Sequence, residues 1–555
     1  MKLNSTIFIT LAATVAGGLF SGCGRSDDSG KPAPIGVSTV EYVERAPGKP
    51  GGTLRISTPA DTPTIDPHVA LGGHWQGQLL FDSLVYLDDK GGITPWLAKS
   101  WTVSPDGKTY TFRLRDDVSF SDGAKFNAEA VLVNLDRIRD PATKAAVATA
   151  YVGPYVGGKV IDEFTVEVHL SEPYSPFLNY LATCYLGMLS PKAIREHPET
   201  LTERPIGSGP FVIESYVRNQ GMRFVKRKDY NWAPDFIRHQ GPAYLDRIEL
   251  DFVPEEMSRY SALTAGQYDV TLDASWQNVA AIRADKSLVF ANTVIKGFPV
   301  PAVIFNTQRP PFDDVRVRRA VALATDREGI AQMVGFGELS PKTDFLSSNS
   351  TYYDPAFKDA LKTNLAEANR LLDEAGWTDR DAQGRRQKGG AVLSAEVLVS
   401  TTSVPGTIIV GVQSDVKKIG VDLRLINIPA TQMLVKRNAG EYQAIVNTFW
   451  FMNTPDILYI LFHSKQIITP DYIGQNYSRL SDPELDKLLT DARHAQDPAQ
   501  LKALYSRAQQ RLTELVPAVP LFENQVKTAH QAYVKGIIYD TSHTKPYFGT
   551  AWLDK

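Results

Sequence analysis

The stretch Val303–Arg327, VIFNTQRPPFDDVRVRRAVALATDR, decides how the rest of the chain is read. A short apolar run ends at Asn306-Thr307, Pro310-Pro311 excludes both a helix interior and a central strand, and Asp313 or Asp314 stands where a carboxylate can cap a first helical turn. Val317, Ala320, Val321 and Ala324 then share one face, while Arg316, Arg318, Arg319 and Arg327 are expected to point largely elsewhere. The expectation is a strand, a sharp break and an amphipathic helix packed on a larger body.

That body has to hold 555 residues, 43% of them apolar, which is too much for one compact domain and enough for two cores. Lys+Arg (59) and Asp+Glu (62) nearly cancel to a formal charge of −3, and no basic stripe interleaves with aromatics, so nucleic acid is excluded as a partner. The basic run Arg223–Lys228 alternates with Phe224 and Val225 and reads as the wet face of a strand. With only Cys23 and Cys184 there is no Cys/His metal cluster, and Cys184, inside LATCYLGML, is expected as a core thiol.

At the N-terminus Lys2 precedes Ile7–Phe20, apolar apart from Thr10 and Thr14 and too short to span a bilayer comfortably, so residues 1–22 read as an export signal. It ends in L-F-S-G-C, which resembles a bacterial lipobox with Phe20 in the place of the usual leucine. That resemblance implies lipid on Cys23, the only contact with a membrane, and residues 23–50, rich in Gly, Pro, Ser and charge, read as the tether behind it.

The folded body opens with a strand at Gly52–Ile56, followed by Ile65-Asp66-Pro67 and a helix expected from about Trp75 to Leu84. Ile93–Val131 reads as a β-meander with turns at Pro105-Asp106-Gly107 and Ser121-Asp122-Gly123, leading to a helix that Asn127 can cap. Pro205–Phe211, PIGSGPF, is a glycine turn around Ser208. Beyond the organising stretch, Asn364–Ala375 is a capped helix stopped by Gly376, and Asp379–Gly384 is a hairpin loop. Calcium is refused there because Gly390 stands where a bidentate Glu is needed. Two further helices, capped near Ser481-Asp482 and at Asp497, return the chain through Ala518–Leu521.

In this order, N-T, P-P-F, D-D-V-R-V-R-R-A, A-T-D-R, P-x-G-S-G-P-F and L-A-E-A-N-R-L-L-D-E-A-G-W, the chain closely resembles the extracytoplasmic solute-binding proteins of family 5, the dipeptide-, oligopeptide- and nickel-type receptors of ABC importers. The resemblance implies an α/β, two-lobed periplasmic-binding-protein fold, type II in its large cluster-C form with an extra N-terminal subdomain. Phe298–Asn306 then becomes a hinge strand. Lobe 1 is expected over 51–300, with the extra subdomain at about 85–200, lobe 2 over 301–520, and a return to lobe 1 over 521–555. It also implies a monomeric receptor without cofactor, in the periplasm or on the outer face of the cell membrane, passing a small solute, a peptide or similar, to permease subunits driven by cytoplasmic ATPases.

A secreted hydrolase is the competing reading, and its parts are missing. There is no G-x-S-x-G elbow and no H-E-x-x-H pair. Ser414–Lys417 satisfies S-x-x-K and Ser347–Asn349 satisfies S-x-N, yet no K-T-G triplet follows, and nine histidines are scattered. No catalysis is expected. A binding cleft needs aromatic walls and a few placed polar groups instead. His74 and Trp75, which follow a Gly pair, are candidates, as are Ser208, Asn306 at the end of the hinge strand, and Trp450, Phe451, Asn453 and Asp456 at the end of a strand. Peptide binders of the family carry an aspartate shortly after the corresponding tryptophan to pair with the peptide's α-ammonium. Here the nearest residue is neutral Asn453, so either Asp456 takes that role or the ligand is not an ordinary peptide; sugars, opine-like conjugates and, less well supported by His74 and His463, a nickel chelate stay open.

Overall fold

A computed structural model describes residues 48–555 apart from 71–74, 89, 236, 238, 401–405, 448–451, 471, 473 and 540–544. The export signal, Cys23 and the candidates His74, Trp450 and Phe451 lie outside the described residues.

Two sheets organise the chain. In the first, of seven strands, Thr53–Thr58 runs parallel to both Arg247–Phe252 and Val270–Leu272, with Leu54 opposite Ile248 and Ile56 opposite Leu250, all four fully buried. In the second, of five strands, Ala302–Phe305 lies antiparallel between Ala444–Asn447 and Ala518–Pro520, and Ser394–Ser400 and Asp422–Ile428 extend it in parallel. The chain leaves the first sheet after Val294, enters the second at Ala302, and returns between Pro520 and Gln525, whose strand Gln525–Gln531 rejoins the first. Glu523, in the return crossing, stands 3.6 Å from the buried Lys342 ammonium, itself 2.8 Å from Asp344.

The organising stretch forms the strand and helix expected of it. Asp314 is the cap: its Oδ1 accepts from the Arg316 amide at 2.9 Å, and Val317, Ala320, Val321 and Ala324 are buried along Val315–Ala324. The arginines depart from expectation. Arg318 turns inward and donates to the carbonyls of Phe312, Leu515 and Val516, and Arg327, fully buried, to those of Ala322, Leu361 and Pro520. Burial lowers both guanidinium groups to about 10. A planar fork of five donors can close several open carbonyls at once, which an apolar side chain at the same place cannot do.

A third sheet, antiparallel in the order Ala98–Val103, Thr109–Leu114, Thr165–Leu170, Tyr155–Asp162, forms a subdomain inserted in the first half of the chain. Its helix Ala128–Arg139 starts at Asn127, whose Oδ1 accepts from the Ala130 amide at 3.0 Å. The helix expected over Trp75–Leu84 is a single turn, Gly77–Leu80, after which the chain is extended at Phe81 and pairs as a strand at Val85–Leu87. The reason lies far off in sequence: a Cβ on Gly209 would stand 2.5 Å from the Leu80 carbonyl carbon, so the glycine turn packs directly on this backbone.

Buried apolar side chains of the first sheet form one cluster, whereas those of the four-stranded subdomain run without a break into those of the second sheet. The seam between subdomain and second lobe is therefore packed like a core.

Candidate functional site

The seam is built by elements distant in sequence. From the subdomain come Tyr174 and the short helix Phe177–Leu181; from the second lobe come the turn before the helix Ile457–Phe462 and the end of the helix Pro483–His494. Asp456 sits fully buried at the start of the first of these helices, and Arg493 in the last turn of the second, where a cation complements the helix dipole.

These two residues form a bidentate ion pair: Arg493 Nε and Nη2 donate to Asp456 Oδ1 and Oδ2 at 2.8 and 2.7 Å. Tyr180 of the subdomain adds its phenol, donating to Oδ2 at 2.7 Å, with its oxygen 3.2 Å from the Met452 sulfur. The Arg493 guanidinium lies 3.3 Å from the ring centroid of Tyr459 and 5.3 Å from that of Tyr174. Burial pulls the guanidinium down, yet the Asp456 carboxylate and the tyrosines outweigh it and hold Arg493 well above its ordinary value. Burial, then Asp456, pushes the Tyr180 phenol well up, so it stays protonated and donates. Tyr151 stacks on Tyr180 with ring centroids 4.5 Å apart and meets Tyr185 edge-on at 5.6 Å. Two backbone-directed contacts complete the seam: the Ser175 amide donates to the Arg493 carbonyl at 2.7 Å and its hydroxyl to the Ala492 carbonyl at 2.8 Å.

Asn453 stands beside this pair, 1% exposed. Its Nδ2 donates across the seam to the Asn179 carbonyl at 3.2 Å, which fixes the amide plane, and its Oδ1 is buried with no hydrogen-bond partner among the described residues. A buried carbonyl without a donor costs about 1–3 kcal/mol, so this atom is poised to accept.

The other described candidates sit elsewhere. Trp75 is buried in the first lobe's core, edge-on to Phe548 at 6.0 Å. Ser208 is fully buried in the glycine turn: its Oγ accepts from the Asp82 amide at 3.4 Å, and its carbonyl accepts from Trp232 Nε1 at 3.1 Å. Asn306 closes the end of its strand, donating to the carbonyls of Gly440 and Tyr442 while its Oδ1 accepts from the Gln308 amide. For these three the geometry is that of core and turn residues. His463 is buried, with Nδ1 accepting from the Lys465 amide at 3.0 Å and Nε2 3.1 Å from the Thr490 hydroxyl, so neither ring nitrogen is open to a metal. Ser414 and Lys417 are exposed on the outer surface of the second lobe.

Tyr174, Tyr180 and Arg493 escaped the sequence reading. Arg493 carries the ordinary signal of a helix C-terminus, and the tyrosines lie in an apolar run that reads as core; only their density, with Tyr185 close by, hinted at more.

A family model described as bacterial extracellular solute-binding proteins, family 5 (middle) matches residues 92–468. Glutathione-binding protein GsiB of Shigella dysenteriae serotype 1 is 26% identical over 491 residues, covering 85% of this chain and 89% of its own. Among solved structures, the periplasmic binding protein DppA of Helicobacter pylori in complex with the peptide STSA superposes with a TM-score of 0.75 at 24% identity, covering 91% of this chain and 99% of that one. NikA of Brucella suis in complex with Fe(III)-EDTA superposes with a TM-score of 0.80 at 23% identity, covering 90% and 100%. The fold is that of these two-lobed periplasmic binding proteins.

Proposed function

Because the chain belongs to the bacterial extracellular solute-binding proteins of family 5, we propose that it is the substrate-binding lipoprotein of an ABC importer, anchored through Cys23, and that it captures a solute of the oligopeptide and dipeptide class, or a non-peptide solute of that size, between its lobes. The family is one of solute-binding receptors, which bind a small solute and work with permease and ATPase subunits. Among the described residues no helix is long and apolar enough to cross a membrane. On this reading the chain is a monomer that does no bond chemistry. Solute contacts that exist only when subdomain and second lobe meet shift the hinge equilibrium toward closure.

The observation that carries the choice of solute is the pairing at the seam. An α-ammonium buried in a closed cleft needs a carboxylate, and Asp456 already has its charge matched by Arg493 and a third hydrogen bond from Tyr180. The acceptor left open is the neutral Oδ1 of Asn453. A neutral donor, an amide N–H or a hydroxyl, fits that atom better than an ammonium does. Glutathione, a peptide and an iron chelate are bound by the similar proteins. For this chain the seam favours a peptide-like or opine-like conjugate whose group at Asn453 is uncharged, and the engaged nitrogens of His463 lend a nickel chelate no support.

Calorimetric titration with paired short peptides, one with a free N-terminus and one N-acetylated, tests this. The acetylated member is expected to bind at least roughly tenfold more tightly, since an unpaired buried ammonium costs several kcal/mol. Tighter binding of the free ammonium would overturn the assignment of Asn453.

A further inference from the structure

A second cavity lies away from the seam. The described residues enclose about 30 Å³ lined by Gln78, Phe81, Tyr86, Trp96, Cys184 and Tyr547, among others from the first lobe and the subdomain; none of its lining residues comes from the second lobe. Its walls are aromatic and neutral. Burial raises the Cys184 thiol to about 12, and burial with the neighbouring Asp82 carboxylate raises the Tyr547 phenol far above its ordinary value, so both keep their protons.

One polar group is left over. Gln78, 8% exposed, lines this space with an Nε2 that has no hydrogen-bond partner among the described residues. Charge is unwelcome: an ammonium would find no carboxylate among the lining residues, and a carboxylate would stand near Asp82, which is fully buried and turned toward Trp232 Nε1 at 2.8 Å and Tyr230 Oη at 3.3 Å. Size narrows the occupant further. About 10–15 Å³ measured this way holds one water and about 150 Å³ holds a benzene, so 30 Å³ admits two or three heavy atoms and no ring.

We propose that this cavity is an acyl subsite: it takes a short neutral acyl group of the solute, acetyl in size, with the methyl against the aromatic wall and the carbonyl oxygen accepting from Gln78 Nε2. The proposal rests on the receptor reading above and adds a second recognition point, on the first-lobe side, to the neutral acceptor at Asn453. An N-acylated conjugate satisfies both, because acylation removes the ammonium charge and supplies the carbonyl.

The test uses N-methylacetamide as probe in saturation-transfer NMR on the whole mature chain, with acetate as the charged counterpart. Saturation of the acetyl methyl, no competition by acetate, a roughly fivefold weaker response in Gln78→Leu and its loss in Ser83→Leu, which fills the cavity, are the expected results. Thermal melts establish that each variant is folded; should Ser83→Leu fail to fold, Gln78→Leu decides alone. An equal response in the wild type and in Gln78→Leu, or a crystal soaked with N-methylacetamide showing only ordered water on Gln78, would overturn the subsite. The receptor reading fails separately: a solute retained in native mass spectra of both wild type and Gln78→Leu at equal affinity removes the subsite and leaves the receptor, whereas probe binding without any solute-binding activity does the reverse.

Discussion

Tyr180 and Asp456, 276 positions apart in sequence, meet at 2.7 Å and join the inserted subdomain to the second lobe through a carboxylate that Arg493 already holds. Because the ion pair lies wholly within the second lobe, it is complete before the lobes meet. The phenol is then a contact made on closure.

Tyr180→Phe should therefore leave the second lobe folded and weaken closure alone. A hydrogen bond to a charged group is worth about 1.5–3 kcal/mol, so solute affinity is expected to fall roughly ten- to a hundredfold, with a wider distribution of distances between spin labels on the two lobes. An unchanged distance distribution would show that the contact does not report closure.

The pair itself is structural. Asp456→Asn or Arg493→Met alone leaves a buried charge without its partner and should lower stability by about 3–5 kcal/mol, read from denaturant unfolding. The double variant Asp456→Asn/Arg493→Met should be less damaged than the two losses added together, and the double-mutant cycle measures the difference. Additivity would mean that the two groups do not act as a pair.

Burial pushes the Asp82 carboxyl up to about 6, against the hydrogen bonds from Trp232 and Ser208, from an ordinary value of 3.8. Since the folded value is the higher one, the unfolded chain gives up this proton first. The contribution of Asp82 is then fully present below about pH 4 and lost as pH rises through 6, a change of about 3 kcal/mol at about 1.4 kcal/mol per pKa unit. Unfolding free energies between pH 4 and 7 should carry this downward trend in the wild type and lack it in Asp82→Asn. An identical pH slope in both would contradict it.

Gly207 and Gly209 flank Ser208 with their Cα atoms against the backbone of Leu79 and Leu80. Gly209→Ala would set a Cβ 2.5 Å from one backbone carbon and 2.8 Å from the Leu79 carbonyl oxygen, neither of which can move without the turn that carries Asp82. A loss of about 1–3 kcal/mol in thermal or denaturant unfolding is expected, against near neutrality for Gly123→Ala in relative terms, where a Cβ meets nothing within 4 Å and only the positive φ of +82° opposes it.

What could be read from the sequence follows from how local each signal is. Asn127, Asp314, Asn364, Asp482 and Asp497 cap helices within three residues of themselves, and the hairpin at Pro105-Asp106-Gly107 closes between Val103 and Thr109, so a short window contains the whole interaction. Arg318 and Arg327 were misread because their partners, the carbonyls of Leu515 and Pro520, arrive nearly two hundred residues later. The helix after Trp75 was drawn too long for the same reason: what presses on Leu80 is a glycine turn beyond residue 200. At the seam the sequence pointed to Asn453 and Asp456 but assigned Asp456 a solute's amine, since nothing near it announces Arg493.

The central claim is that the receptor holds a solute whose group at Asn453 is uncharged, and native mass spectrometry of the chain from Gly24 onward, purified without denaturation beside Asn453→Leu, tests it most directly. The expected result is a discrete bound mass on the wild type, identified by fragmentation as a conjugate without a free α-ammonium, and its loss from the variant. Ordinary peptides with free N-termini, retained equally by wild type and variant, would contradict it.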